Sequence, residues 1–143
     1  MPFIEPWVPV EPTTKRAAIL GTLPFSRGSV SFSIPRSVVP DEATGILVFA
    51  WVSLSGVNPA FAFWHVASAV AGGPANWFSL AIAGDPTGRS VTCNSQEFWL
   101  PMPASRNLVV TLNLADLPSK ANRGEVEIHG YYPGAAERVV ADI

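Results

Sequence analysis

The sequence predicts an all-β protein, an antiparallel β-sandwich of jelly-roll/Greek-key type. Apolar residues come in short alternating or continuous runs, turn-forming residues separate the runs, and no stretch shows a sustained 3.6-residue helical period. The chain has 143 residues and no internal repeat, which is enough for one well-buried core. We therefore expect a single β-sandwich domain over residues 15–143, preceded by an extended Pro-rich arm over residues 1–14.

Prolines from Pro2 to Pro12 characterise the arm. Because proline fixes φ and lacks an amide donor, this segment should be extended and not helical. The arm also carries Phe3, Trp7 and Val8, although a disordered tail seldom contains such apolar residues. We expect the arm to lie on an apolar surface of its own domain or of a neighbouring subunit.

The first predicted strands follow the arm. A short strand runs from Arg16 to Leu20 and ends at Gly21. Ser29–Ile34 alternates strictly between serine and apolar residues, which predicts a strand with one solvated face. Ile46–Leu54 and Ala60–Val70 are apolar on both faces, so each should be central in its sheet or covered by a partner.

The later strands are also separated by turn signals. Trp77–Ala83 ends at Gly84–Arg89, where Pro and Gly favour a turn. Residues 90–100 predict one irregular strand or two short strands around a polar bulge. Leu108–Leu114 alternates, and Glu125–Tyr132 is the last predicted strand.

Only 14% of the residues are charged, against roughly 25% in an ordinary soluble domain. Either uncharged polar residues cover the surface, or part of it is buried against other chains. The net charge of −2 and the scattered basic residues do not favour a nucleic-acid partner. The charge-free run from Gly45 to Ile82 contains several turn-forming residues, which favours strands over a membrane span.

The last strand is the main candidate for chemistry, since Glu125, Glu127 and His129 occur at every second position. Such side chains share one face about 7 Å apart, a separation that paired carboxylates use in glycoside hydrolysis. The same residues could supply part of a metal site. The solvated face of an alternating strand has the same pattern, and we favour that interpretation. We accordingly expect no catalytic residue, no metal and no cofactor.

Two other residues could carry chemistry. His65 lies within an apolar strand, where we expect a hydrogen-bonded core histidine and not a catalytic base. Cys93 is the single cysteine, and we expect a half-buried structural thiol. Neither a Gly-x-Ser-x-Gly motif nor a phosphate-binding glycine loop occurs in the sequence.

The aromatic residues indicate binding surfaces. Trp51 and Trp64 fall in strand centres, where the core is the simplest position for both. Aromatic residues at strand ends are typical of sugar stacking, of core capping or of subunit contacts, and we favour the contacts. The candidate ligand-binding residues are Asn76, Trp77, Asp85, Arg89, Trp99, Tyr131 and Tyr132. The candidate interface residues, from the arm and the two-faced strands, are Phe3, Trp7, Val8, Phe49, Trp51, Phe61 and Phe63.

The composition favours a non-enzymatic structural protein, an oligomeric virion component such as a capsid-decorating or cementing protein. We expect its partners to be copies of itself, with a trimer favoured, and other structural subunits, but neither nucleic acid nor a membrane. A carbohydrate-binding module or an adhesin-like tail or fibre domain is the alternative, and a glycoside hydrolase-like enzyme is the third hypothesis. Met1–Trp7 lacks the basic and apolar stretches of a secretory signal, so we expect a location in the virion or the host cytoplasm.

Overall fold

The computed structural model of the protein describes residues 7–10, 18–54, 61–69, 75–83, 91–113, 117 and 122–134. Within these ranges the chain is all β with almost no helix. Among the described residues there is no helix of the length and hydropathy that a membrane crossing requires. The strands in these ranges are β1 (Val8–Pro9), β2 (Ile19–Thr22), β3 (Gly28–Ser33), β4 (Gly45–Leu54), β5 (Phe61–Ala69), β6 (Ala75–Ala83), β7 (Thr92–Pro101), β8 (Asn107–Asn113) and β9 (Arg123–Tyr132).

The strands form two antiparallel sheets. The five-stranded sheet has the order β1–β9–β4–β7, with β2 also paired to β9, and the four-stranded sheet has the order β3–β8–β5–β6. Four of the pairs are nested in the chain: β5 with β6, β4 with β7, β3 with β8 and β2 with β9. The all-β prediction is confirmed, and the buried residues of both sheets form one core, as in a β-sandwich.

The core is built by the alternation that the sequence predicts. Every second residue of β4 is buried, beginning with Ile46, and β9 contributes Val126 and Ile128 beside them. On β5 the ring of Trp64 is completely buried, and its indole N–H donates a hydrogen bond of 2.7 Å to the carbonyl of Pro24. The prediction that Trp64 belongs to the core is confirmed.

Side-chain contacts join the two sheets along one side. Buried Ser68 of β5 donates its hydroxyl to the carbonyl of Pro101 on β7 at 2.8 Å. Phe78 of β6 and Phe98 of β7 stack with ring centroids 5.8 Å apart. Strand β7 pairs with β4 along its whole length in one register, so of the two alternatives for this part of the chain the single strand is correct.

Residues 7–10 run in extended form along the edge of the five-stranded sheet. Strand β1 pairs with β9 there, and the amide of Val10 donates a hydrogen bond of 2.8 Å to the carbonyl of His129. An edge position suits a proline-containing segment, because an edge strand needs fewer of its amides for pairing. Residues 1–6 and 11–17 lie outside the described residues.

The ring of Trp7 fixes this segment to the sheet. It lies over Gly130, and its centroid is 5.6 Å from that of Trp99, which it meets edge-on. Trp7 and Val8 therefore contact their own domain. Their contact with a neighbouring subunit stays a prediction, and Phe3, the other arm residue assigned to that contact, lies outside the described residues.

Gly130 has no side chain because the indole occupies that space. A Cβ at this position would lie 2.6 Å from Cε3 of Trp7 and 3.0 Å from the carbonyl oxygen of Val8. We expect Gly130→Ala to displace the indole and to lower the free energy of unfolding by about 1–3 kcal/mol, measured by denaturant titration. The double variant Trp7→Ala/Gly130→Ala should lose less than the sum of the two single losses, with the contact to the carbonyl oxygen of Val8 as the remaining cost, and additive losses would contradict this explanation.

At one end of the sandwich Arg106 holds two connections together. It has a left-handed φ of 60° in the turn between β7 and β8, and only 12% of its side chain is exposed. Its guanidinium donates to the carbonyls of Ile34 at 3.0 Å and Val39 at 2.7 Å, and to the carboxylate of Asp41 at 3.2 Å. The β3–β4 connection is thereby tied to the β7–β8 turn.

Candidate functional site

Glu125, Glu127 and His129 lie on the outer face of β9, as the sequence pattern predicts. In the register of the neighbouring strand β4, Trp51 is opposite Glu125 and Phe49 is opposite Glu127. Trp51 therefore lies on the outer face of the five-stranded sheet, and the expectation that it belongs to the core is wrong. Strand β4 is apolar on both faces, so alternation alone does not show which face points inward.

A chain of hydrogen bonds connects Trp51, Glu127 and His129 to Glu97 across three strands. The indole N–H of Trp51 donates to Oε2 of Glu127 at 3.0 Å, and Oε1 of Glu127 lies 3.2 Å from Nε2 of His129. The other ring nitrogen of His129, Nδ1, lies 2.7 Å from Oε2 of Glu97 on β7. The ring of Phe49 stacks on the imidazole with centroids 4.6 Å apart. Glu127 and His129 therefore belong to a connected network and are not separate solvated side chains.

Within the network Glu127 has a positioning role. Only 12% of the Glu127 side chain is exposed, and each of its oxygens already has a partner, so it orients Trp51. Each ring nitrogen of His129 lies within hydrogen-bond distance of a carboxylate oxygen, one from Glu97 and one from Glu127. Among the described residues, no group of three or more His, Cys, Asp or Glu side chains has an arrangement that could hold a metal ion.

The indole of Trp51 stands between two shallow cavities on the outer face. The first has a volume of about 410 Å³, and besides Trp51 it is lined by Thr22, Asn122, Arg123, Gly124 and Glu125. The second has a volume of about 400 Å³, and besides Trp51 it is lined by Val52, Ser53, Cys93, Asn94 and Ser95. Both volumes are within the range of small-molecule sites.

Cys93 is part of the second cavity. The thiol is exposed, and its sulfur lies 3.6 Å from the hydroxyl oxygen of Ser53. The expectation of a half-buried structural thiol is therefore wrong. The reason is that Cys93 points to the outer face of β7, the edge strand of the five-stranded sheet.

The four-stranded sheet has a different character from the five-stranded one. None of the residues in its strands β3, β5, β6 and β8 is Asp, Glu, Lys or Arg. Its outer face exposes Phe61 and Trp77, which are 51% and 55% accessible. Serine residues at every second position of β3, on the opposite edge of the sheet from β6, are exposed, as the Ser29–Ile34 pattern predicts. The sheet is therefore uncharged and partly aromatic where it meets solvent.

The aromatic residues of this face form a continuous strip, made up of Phe61, Phe63, His65 and Trp77. Ring centroids along β5 are 6.2 Å apart for Phe61 and Phe63 and 5.0 Å apart for Phe63 and His65. The imidazole of His65 then stacks on Trp77 of β6 at 4.5 Å. His65 lies in this surface strip, so the expectation of a core histidine is wrong.

The other candidate ligand-binding residues do not meet at one site. Trp99 and Tyr132 contact each other at 4.5 Å on the five-stranded sheet, and Tyr131 packs against the core. Asn76 is exposed beside Trp77 on the opposite sheet. The two remaining candidates, Asp85 and Arg89, lie outside the described residues.

Comparison with known proteins does not place the chain in a family. No protein-family model matches it, and no curated protein matches it either. The two outer faces of the sandwich are the features that indicate a function: one is uncharged and aromatic, and the other carries the hydrogen-bonded Trp51 network.

Proposed function

We propose that the protein is a non-enzymatic subunit of a homo-oligomeric assembly, a structural component of a virion such as a capsid-decorating or cementing protein. The observation that carries this proposal is the uncharged outer face of the four-stranded sheet, with exposed Phe61 and Trp77. The solvated face of an antiparallel sheet is normally polar. The centres of subunit interfaces, in contrast, are poor in charged residues and rich in aromatic ones.

The size of the face also supports a subunit contact. Four strands about 4.8 Å apart, with about 3.4 Å per residue, give a face of roughly 19 Å by 26 Å, or about 500 Å². A standard interface buries about 800 Å² on each partner. The strands of this sheet therefore account for more than half of a standard interface, before the neighbouring loops are counted.

We further propose that the nested pairing is that of a jelly roll. Four pairs, each enclosing the next, describe a long hairpin rolled into two sheets, and jelly rolls occur in viral capsid and lectin domains. A fold alone does not define a function, so this topology agrees with the proposal but is not its main support. We assign residues 1–14 to a Pro-rich arm that adds to the assembly, with a trimer and other structural subunits as the expected partners.

Sedimentation velocity at micromolar concentration tests the proposal. We expect the wild-type chain to sediment above its monomer mass of 15.2 kDa, and Phe61→Glu to return it to the monomer. A charge buried in an apolar contact without a partner is strongly unfavourable. Val91→Glu is the matched control, because Val91 is 59% exposed and lies outside the four-stranded sheet.

Two results would contradict the proposal. A wild-type chain that sediments only as a monomer would remove the homo-oligomer. Equal dissociation by Phe61→Glu and Val91→Glu would show that the contact does not lie on the four-stranded sheet.

A further inference from the structure

We propose that the outer face of the five-stranded sheet carries a saccharide-binding site centred on Trp51. This site lies on the opposite side of the sandwich from the uncharged face. It therefore does not depend on the proposed assembly, and the two proposals can fail separately.

The position of the Trp51 ring is fixed before any ligand arrives. Its N–H is held by Glu127 at 3.0 Å, Glu127 contacts His129, and His129 contacts Glu97 on the far side of β4. A side chain held in this way loses little conformational entropy on binding, which is the advantage of a preorganised site. The network thus holds a large aromatic ring in one orientation on the outer face of the sheet.

The surroundings of the indole select the chemical class of the ligand. The first cavity is lined by both Arg123 and Glu125. Arg123 disfavours a simple cation there, and Glu125 disfavours a simple anion. A hydroxyl group donates to a carboxylate and accepts from a guanidinium, so it satisfies both side chains. The second cavity offers the hydroxyls of Ser53 and Ser95.

A sugar ring combines the two features that this site requires. Its C–H groups carry a small positive charge and match the negative face of the indole, while its hydroxyls point outward around the ring edge. The side chains that line the two cavities meet such an edge on either side of Trp51. With about 400 Å³ on each side of Trp51, the two cavities have room for an oligosaccharide that crosses the indole.

The test is an NMR titration of the full chain with maltohexaose, cellohexaose, mannohexaose, chitohexaose and N-acetyllactosamine in turn, each up to roughly 10 mM, which detects even millimolar affinity. The indole N–H resonance of Trp51 is assigned by its absence in Trp51→Phe. We expect at least one saccharide to shift this resonance. Glu125→Gln should lower the affinity for that saccharide by about tenfold, the loss typical of a hydrogen bond to a charged group.

Arg36→Ala is the control, because Arg36 is 71% exposed and lines neither cavity. It should bind the saccharide with unchanged affinity, whereas Trp51→Ala should lose binding while keeping its circular dichroism spectrum. The proposal is overturned if no saccharide shifts the Trp51 resonance, or if tetramethylammonium shifts it and the saccharides do not. It is also overturned if binding survives Trp51→Ala, and loss of binding in Trp77→Ala would then place the site on the other sheet.

Discussion

Replacing Trp64 with alanine should lower the free energy of unfolding by about 3–5 kcal/mol, the usual loss for a large aromatic residue in a core. The side chain is completely buried on β5, where it pairs in register with Leu80 of β6 and Leu112 of β8. Its removal would also leave the carbonyl of Pro24 without its donor. Small domains have a total stability of about 5–15 kcal/mol, so the variant should unfold at a much lower denaturant concentration.

Guanidinium titration at one fixed protein concentration measures the effect, because an oligomer's apparent stability depends on concentration. Trp64→Phe keeps most of the ring volume but lacks the N–H donor, so we expect an intermediate loss of about 1–3 kcal/mol. Val91→Ala, at an exposed position outside the four-stranded sheet, should lose less than about 1 kcal/mol. A Trp64→Ala protein within 1 kcal/mol of the wild type would contradict the central role of this residue in the core.

The sequence predicts the strands well where one face is polar. Ser29–Ile34 is such a segment, because serine alternates with apolar residues: Ile34 is buried and Phe32 partly buried as predicted, whereas Val30 is 37% exposed. Strand β9 is another, with Val126 and Ile128 inside and the acidic residues outside. In both cases the period of two, together with the cost of burying polar groups, determines which face meets the core.

The sequence does not predict the direction of side chains where both faces are apolar. Trp51 and His65 both lie in such strands, and the opposite register would satisfy local hydrophobicity equally well. Val52 and Trp64 point into the core, so their chain neighbours Trp51 and His65 point outward. Which residues point inward depends on how the two sheets pack together, and therefore on the whole topology. Position along the chain therefore does not show to which surface these aromatic residues belong.

The sequence predicts only part of the candidate site, for a related reason. Glu125, Glu127 and His129 are spaced along one strand, so their common face follows from the period of two. Glu97 and Trp51 join them through strand pairing across the sheet, which no local pattern records. The sequence thus predicts that Glu125, Glu127 and His129 share a face. The network that includes Glu97 and Trp51 follows only from the pairing of β7, β4 and β9.

The other large effect concerns Arg106, for which the sequence contains no signal. We expect Arg106→Ala to lower the free energy of unfolding by about 2–4 kcal/mol, because the carbonyls of Ile34 and Val39 would each lose a charged donor. Val39 is fully buried, so water does not readily replace that donor. Arg106→Lys should recover only part of the loss, since a single ammonium does not reproduce the fork of the guanidinium.

Two further variants separate the hydrogen bonds from the backbone strain and from the ion pair. Arg106→Gly also lacks the guanidinium but accepts the left-handed φ of 60°, so it should be more stable than Arg106→Ala by about 1 kcal/mol. Arg36 pairs with the same Asp41 at 2.8 Å, but its side chain is 71% exposed. Arg36→Ala should therefore lose less than about 1 kcal/mol in the same denaturant titration. If Arg36→Ala and Arg106→Ala cost the same, the contribution of Arg106 lies in its surface ion pair and not in the buried carbonyls that its guanidinium binds.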